Sequence, residues 1–194
     1  MYFDKSLVRQ KLQEWDDSLQ GYELPQWQDF PALPLYMDQV IYLMNQYLSL
    51  GPVENSDERL VTPAMINNYV KLKIIPPPVK KRYNRVHLAY LMMVCILKQS
   101  MNTSDIRRLL PPTMNETEIR ESYTAFAQVF HEIKAYFSRE VGKAAVPVLE
   151  KEDAPVSYLV FRVAAASNLS RLLTEQLISL LPKNTDSQGN AQKL

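Results

Sequence analysis

Glycine is scarce in this chain. Its four glycines, at positions 21, 51, 142 and 189 of 194, lie too far apart to build a phosphate-cradling loop. Cysteine is scarcer still: Cys95 stands alone, which excludes a disulfide framework and makes a reducing cytoplasm the expected home. Its neighbourhood, LMMVCILK, reads as a buried helix, so the thiol is expected to be inert. The two histidines, His87 and His131, fall in separate helical stretches without metal-ligand spacing. His87 reads as a surface or capping residue and His131 as a packed one. The longest apolar run, residues 88–97, is about half of the ~20 residues a spanning helix needs. The opening MYFDKSLVRQ lacks the apolar stretch of a signal peptide. The acidic pairs Asp16-Asp17 and Glu152-Asp153 fall in caps or solvent-facing stretches. These absences predict a soluble protein with no membrane partner, no cofactor or metal, and no catalytic constellation.

Acid is also missing from one long window. Residues 59–104 hold eight basic side chains and no Asp or Glu, which leaves 14 basic and 21 acidic residues elsewhere. A net +8 in the middle of the chain therefore faces −7 in the remainder, the footprint expected of a surface that meets an anionic polymer. The alternative is an ordinary solvated charge run.

Few glycines and thirteen prolines predict helices separated by rigid breaks. Phe3, Leu7, Leu12, Trp15 and Leu19 space out an amphipathic helix over 4–19. GYELPQWQDFPALP predicts an extended connector whose Tyr22, Trp27 and Phe30 pack onto neighbours. LYMDQVIYLMNQYLSL predicts a helix ended by Gly51-Pro52, and VENSDE a loop. Thr62-Pro63 predicts an N-cap with proline at the first helical position, opening AMINNYVKLK. Pro76, Pro77 and Pro78 stop that helix. Asn84 caps a helix over 85–99, and Thr103 or Ser104 a short one ended by Pro111-Pro112. Asn115 with Glu118 opens a further helix, on which Ile119, Tyr123, Phe126, Phe130, Ile133 and Phe137 form an a/d seam. Residues 141–153 read as a linker, Asp153 as a cap, 155–181 as a second helix forming a hairpin with the first, and the polar tail as disordered.

TPAMINNYVKLKIIPPP, then KKRYNRVHLAYL, then ILKQSMNTSDIRRLL is similar in order and spacing to the MerR-type DNA-binding domain. Thr62-Pro63, Tyr69, Ile74-Ile75-Pro76, Tyr83, Leu88 and Ile106 fall on matching positions. The same segment, with LYMDQV upstream, resembles the bacterial family called domain of unknown function 1836. The departures are an asparagine at position 67 where MerR-type domains carry arginine, Lys73 where they carry glycine, and a wing shortened to PPPVKKRY with no glycine turn. The first helix of the motif, 35–50, lies farther upstream. The C-terminal region lacks the single long dimerising helix and the cysteine cluster.

The resemblance implies a mostly α fold: a MerR-like, truncated-wing helix-turn-helix with N-terminal helices over 1–112, a C-terminal helical hairpin over 113–181 for dimerisation or an effector, and a tail over 182–194. It implies a DNA-binding transcriptional regulator acting on double-stranded DNA. Asn67 and Asn68 would face base edges. Lys71, Lys73, Lys80, Lys81, Arg82 and Arg85 would face phosphates, with Thr62, Tyr69 and Tyr83 on the same module. Tyr69 equally fits a core position. The seam has two readings, the core of one hairpin or the face of a homodimer. The rival function is a non-catalytic protein-interaction module whose basic face docks an acidic partner; its discriminating feature is Asn67 and Asn68 buried in the fold, or basic residues scattered over several faces. The sequence identifies no effector.

Overall fold

The computed structural model describes residues 4–49, 60–151 and 155–182. Among them are seven α-helices and one 3₁₀ turn, Trp27–Asp29, and no strand beyond two isolated bridges. The helices are α1 Lys5–Gly21, α2 Met37–Leu48, α3 Pro63–Lys71, α4 Arg85–Leu97, α5 Thr103–Leu109, α6 Glu116–Glu150 and α7 Ser157–Ser179. Arg59, the Gly51-Pro52 stop, the VENSDE stretch, the Asp153 cap and the tail beyond 182 lie outside the described residues.

α4 is the axis of the fold. Every residue from His87 to Cys95 is buried, consistent with a segment that is apolar on all sides. α2 and α6 pack on it, and the connector between α1 and α2 fills the angle between them. Phe30, 1% exposed, meets Tyr123 with ring centroids 5.0 Å apart and Tyr47 at 6.0 Å. Tyr22 meets Phe130. Tyrosine hydroxyls satisfy the chain ends that reach this core: Tyr123 donates to the Pro25 carbonyl and Tyr90 to that of Pro111, each at 2.6 Å. The α1 C-terminus is closed by a buried lysine. Lys134 Nζ donates to the carbonyls of Gln20 (3.2 Å) and Tyr22 (2.7 Å) and pairs with Glu23 at 2.6 Å. That contact holds the Glu23 carboxyl below its ordinary range.

Four expectations need correction. The chain over 141–150 is helix: α6 is one 35-residue rod that runs through Pro147 to Glu150. The Lys143-Ala144-Ala145 run favours helix, and Ala144, Ala145 and Val148 are buried, with both alanines packed beside Leu159. Packing of that turn offsets the missing proline N–H. The cap of α5 is Asn102, whose side chain accepts from the Asp105 N–H, rather than Thr103 or Ser104. His131 is exposed, 3.3 Å from Glu23, because it points away from the seam. His87 is a capping residue but a buried one.

The seam on α6 changes character along its length. Ile119 and Tyr123 are buried and Phe126 and Phe130 half-buried in the main core, whereas Ile133 and Phe137 are exposed. The packing therefore does not divide at residue 112. α7 runs back along α6 and is anchored only at its ends, by Leu159 against Ala144 and Ala145, and by Ile178 and Leu181 in the main core. Arg108 donates to the Leu181 carbonyl.

Candidate nucleic-acid interface

α3 starts where local chemistry says it should. Thr62 Oγ1 accepts from the Met65 N–H at 3.3 Å, and Pro63 occupies the first helical position, where no N–H is needed. Ile66 and Tyr69 are buried, Met65 and Val70 half-buried, and Ala64, Asn67, Asn68 and Lys71 are exposed on the opposite side. The helix is fixed to α2 by Asn45. Its amide donates to the carbonyls of Ile41 (2.7 Å) and Val61 (3.1 Å), and its oxygen accepts from the Val61 N–H at 3.1 Å. Val61 immediately precedes the Thr62 cap and is fully buried, so one side chain satisfies both of its backbone groups.

The exit of α3 is a Schellman closure. The Lys73 N–H reaches the Val70 carbonyl at 3.0 Å and the Ile74 N–H the Tyr69 carbonyl at 2.9 Å, with Ile74 and Tyr69 both buried. Lys73 sits at the left-handed position of this motif, φ +53°, where glycine is the unstrained choice. Beyond Pro78 the chain reverses in two residues. Val79 and Arg82 exchange N–H···O bonds of 3.1 and 3.0 Å around Lys80 (φ +50°) and Lys81 (φ +62°), the two positive φ angles of a type I′ turn. The segment PPPVKKRY thus holds a tight turn made without glycine. Asn-Gly is the usual occupant of that pair, and a left-handed lysine costs roughly 1–2 kcal/mol. Lys73, Lys80 and Lys81 are the only non-glycine residues with positive φ among the described ones, and all three are exposed.

Other side chains brace the turn. Tyr83 and Leu35 pair through backbone bonds of 2.8 and 2.9 Å. The Arg82 guanidinium lies over the Tyr36 ring, 4.7 Å from its centroid, and donates to the Tyr36 hydroxyl at 2.8 Å. The His87 ring bridges two pieces of backbone. Nε2 lies 3.1 Å from the Pro77 carbonyl, and Nδ1 lies 3.1 Å from the Asn84 backbone nitrogen and 2.6 Å from Asn84 Oδ1.

Burial lowers the His87 pKa from its ordinary 6.5. Between that lowered value and 6.5 the unfolded chain holds more protons than the folded one. The His87 contribution is therefore complete above about pH 6.5 and is lost as pH falls through the window below it. Urea denaturation from pH 7.5 down to 5 is expected to show stability falling with pH, and His87→Gln to flatten that part of the profile. An unchanged profile in the variant would remove His87 as its source.

Of the residues singled out from sequence, Asn67, Asn68, Lys71, Lys73, Lys80, Lys81 and Arg82 are exposed, and Thr62 is half-buried at its cap. Tyr69 and Tyr83 are corrected to core residues, 6% and 3% exposed, because the Schellman closure and the Leu35 pairing turn them inward. Arg85 is half-buried and engaged, donating to the carbonyls of Phe30 (2.8 Å) and Gln28 (3.3 Å), so it is a brace rather than a free cation. Sequence reasoning missed Asn45 and Lys134, whose partners are remote in the chain. Cys95 is buried as expected, its thiol pushed up to about 12. Among the described residues no group of three His, Cys, Asp or Glu side chains is placed to hold a metal ion, and no helix is long and apolar enough to cross a membrane.

The model of the family described as Domain of unknown function (DUF1836) matches residues 25–133. The chain belongs to that family. The matched span opens at Pro25, takes in α2 to α5 and ends midway along α6. Its two ends are joined inside the fold by the Tyr123–Pro25 hydrogen bond. No curated protein and no solved structure matches the chain.

Proposed function

We propose that this member of the DUF1836 family binds double-stranded DNA through α3 and the turn that follows it, as a transcriptional regulator with a MerR-like helix-turn-helix. The observation that carries the reading is the use of lysine at Lys73, Lys80 and Lys81. A backbone that calls for glycine holds a cation at each position, and strain of that kind marks sites retained for a purpose other than stability. Lys73 closes a helix that exposes Asn67 and Asn68 opposite its core side, and Lys80 and Lys81 form the turn that follows. In this reading the asparagines meet base edges, and Lys71, Lys73, Lys80, Lys81 and Arg82 meet phosphates.

The order cap, helix, closure, turn, helix, short helix supports the MerR-like comparison. The separation of α2 from α3, from Leu48 to Pro63, makes the connection much longer than the 3–4-residue turn usual in such motifs. Asn45 supplies across that gap the fixation a short turn would give. Exposure of Asn67 and Asn68 supports this reading over a basic face that docks an acidic protein.

The test is capture of duplex fragments from a mixed genomic pool at low salt, by wild type and by an Asn67→Ala, Asn68→Ala variant. Wild type is expected to enrich a subset of sites. The variant is expected to lose that preference by about 10- to 100-fold, as a bidentate base contact worth ~1–3 kcal/mol implies, while keeping most of its bulk affinity. Failure of wild type to retain any duplex would overturn the proposal.

A further inference from the structure

α7 carries an apolar stripe that its own chain leaves open. Tyr158, Phe161, Leu169, Leu172, Leu173 and Leu180 recur at helical spacing and are 44–79% exposed. Tyr158 and Leu169 lie across the helix from the Ile178 anchor, while Leu173 and Leu180, two and three heptads after the Leu159 anchor, form the flank of the stripe nearest to it. No acidic residue lies on the stripe; Arg162 and Gln176, one heptad before and after Leu169, are its polar members. With an aromatic side chain offering about 150–250 Å² and leucine somewhat less, the six leave on the order of 600–700 Å² of apolar surface per chain. That exceeds the few hundred Å² usual for a monomer and approaches the ~800 Å² each partner contributes to a standard interface. Most of the described remainder of the chain is packed into the two cores, although Ile133 and Phe137 on α6 are exposed as well.

We infer that the occupant is α7 of a second copy of this chain, laid antiparallel across a two-fold axis near Leu169. Such a contact is isologous, so one patch serves both sides. Antiparallel pairing sets Ala165 against Leu172 and Leu173, and Tyr158 against Leu180, so that small faces large in successive layers. Parallel pairing would stack Phe161 on Phe161 and Ala165 on Ala165, a bulge followed by a gap. The antiparallel arrangement also opposes the two helix dipoles favourably. This face is distinct from the α6 seam, whose first half is committed to the core. Pairing needs no DNA and stands or falls independently of the proposed function. If both hold, the dimer presents two copies of α3 to one duplex.

The experiment is sedimentation equilibrium of the full chain without DNA, from micromolar to about 100 µM, with oxidative cross-linking of Leu169→Cys. Expected are twice the 22.4 kDa chain mass for wild type, and monomer for a Leu169→Glu, Leu172→Lys variant with an unchanged circular dichroism spectrum. Leu169→Cys should cross-link to a covalent dimer while an exposed control, Ser104→Cys, does not; buried Cys95 does not compete. A wild-type monomer at the highest concentration overturns the inference. Hydrogen exchange then tells what does cover the stripe: a protected α7 means closure onto its own chain, an unprotected one a different protein. A dimer that survives the double substitution, or cross-links equally through the control, also overturns it. Failure to bind DNA with dimerisation intact would sink only the proposed function.

Discussion

Replacing Lys80-Lys81 by Asn-Gly is expected to make the protein more stable and a weaker DNA binder. Both residues hold positive φ in a two-residue turn, and Asn-Gly adopts that geometry with little strain. Relief of two left-handed lysines, less the extra entropy glycine loses on folding, should be worth about 1–2 kcal/mol in all. For a chain of this length that is a rise in Tm of roughly 3–6 °C. The same exchange removes two cations from the proposed phosphate contacts. The slope of log affinity against log salt should flatten by about 2, and affinity near 0.1 M salt should fall by tens of fold. Opposite movement of Tm and affinity is the diagnostic result. A stabilised variant that binds as well as wild type would mean that these lysines are surface residues without a DNA role.

Asn45→Ala is expected to be among the most damaging polar substitutions. The change deletes three hydrogen bonds and leaves the N–H and carbonyl of fully buried Val61 without partners. At about 1–3 kcal/mol per stranded group, a loss of roughly 2–6 kcal/mol follows for the two. Because Val61 directly precedes the Thr62 cap, the loss should be local as well as global. Amides of residues 61–69 should exchange faster than those of α4 under conditions where the variant is still folded. DNA affinity should fall even in that folded population. Asn45→Asp retains only the acceptor for the Val61 N–H and aims a charge at two carbonyls, so it should not rescue. Urea titration with exchange mass spectrometry checks both, and uniform exchange along the chain would remove the special role given to Asn45.

What was legible in the sequence was mostly local. Thr62-Pro63 and Asn84 announce the starts of α3 and α4, and the spacing of Ile66 and Tyr69 separates core from the exposed asparagines. The end of α6 was not legible, because Pro147 reads as a breaker while the burial of Ala144 and Ala145 that outweighs it depends on α7 and α1. His87 looked like a surface residue beside Arg85, and only the return of Pro77 over it makes it buried. Asn45 and Lys134 act across 16 and 111 or more residues and leave no local pattern. The lysine turn was the hardest to foresee. Lys-Lys carries no preference for positive φ, so its geometry is imposed by the Val79–Arg82 exchange and the Leu35–Tyr83 pairing.

The most direct test is fluorescence anisotropy of wild-type protein on duplex DNA from 50 to about 400 mM salt. Five phosphate-facing cations per chain predict a slope of roughly −4 to −5 in log affinity against log salt. No binding at the lowest salt, or binding with a slope near zero, would contradict the account.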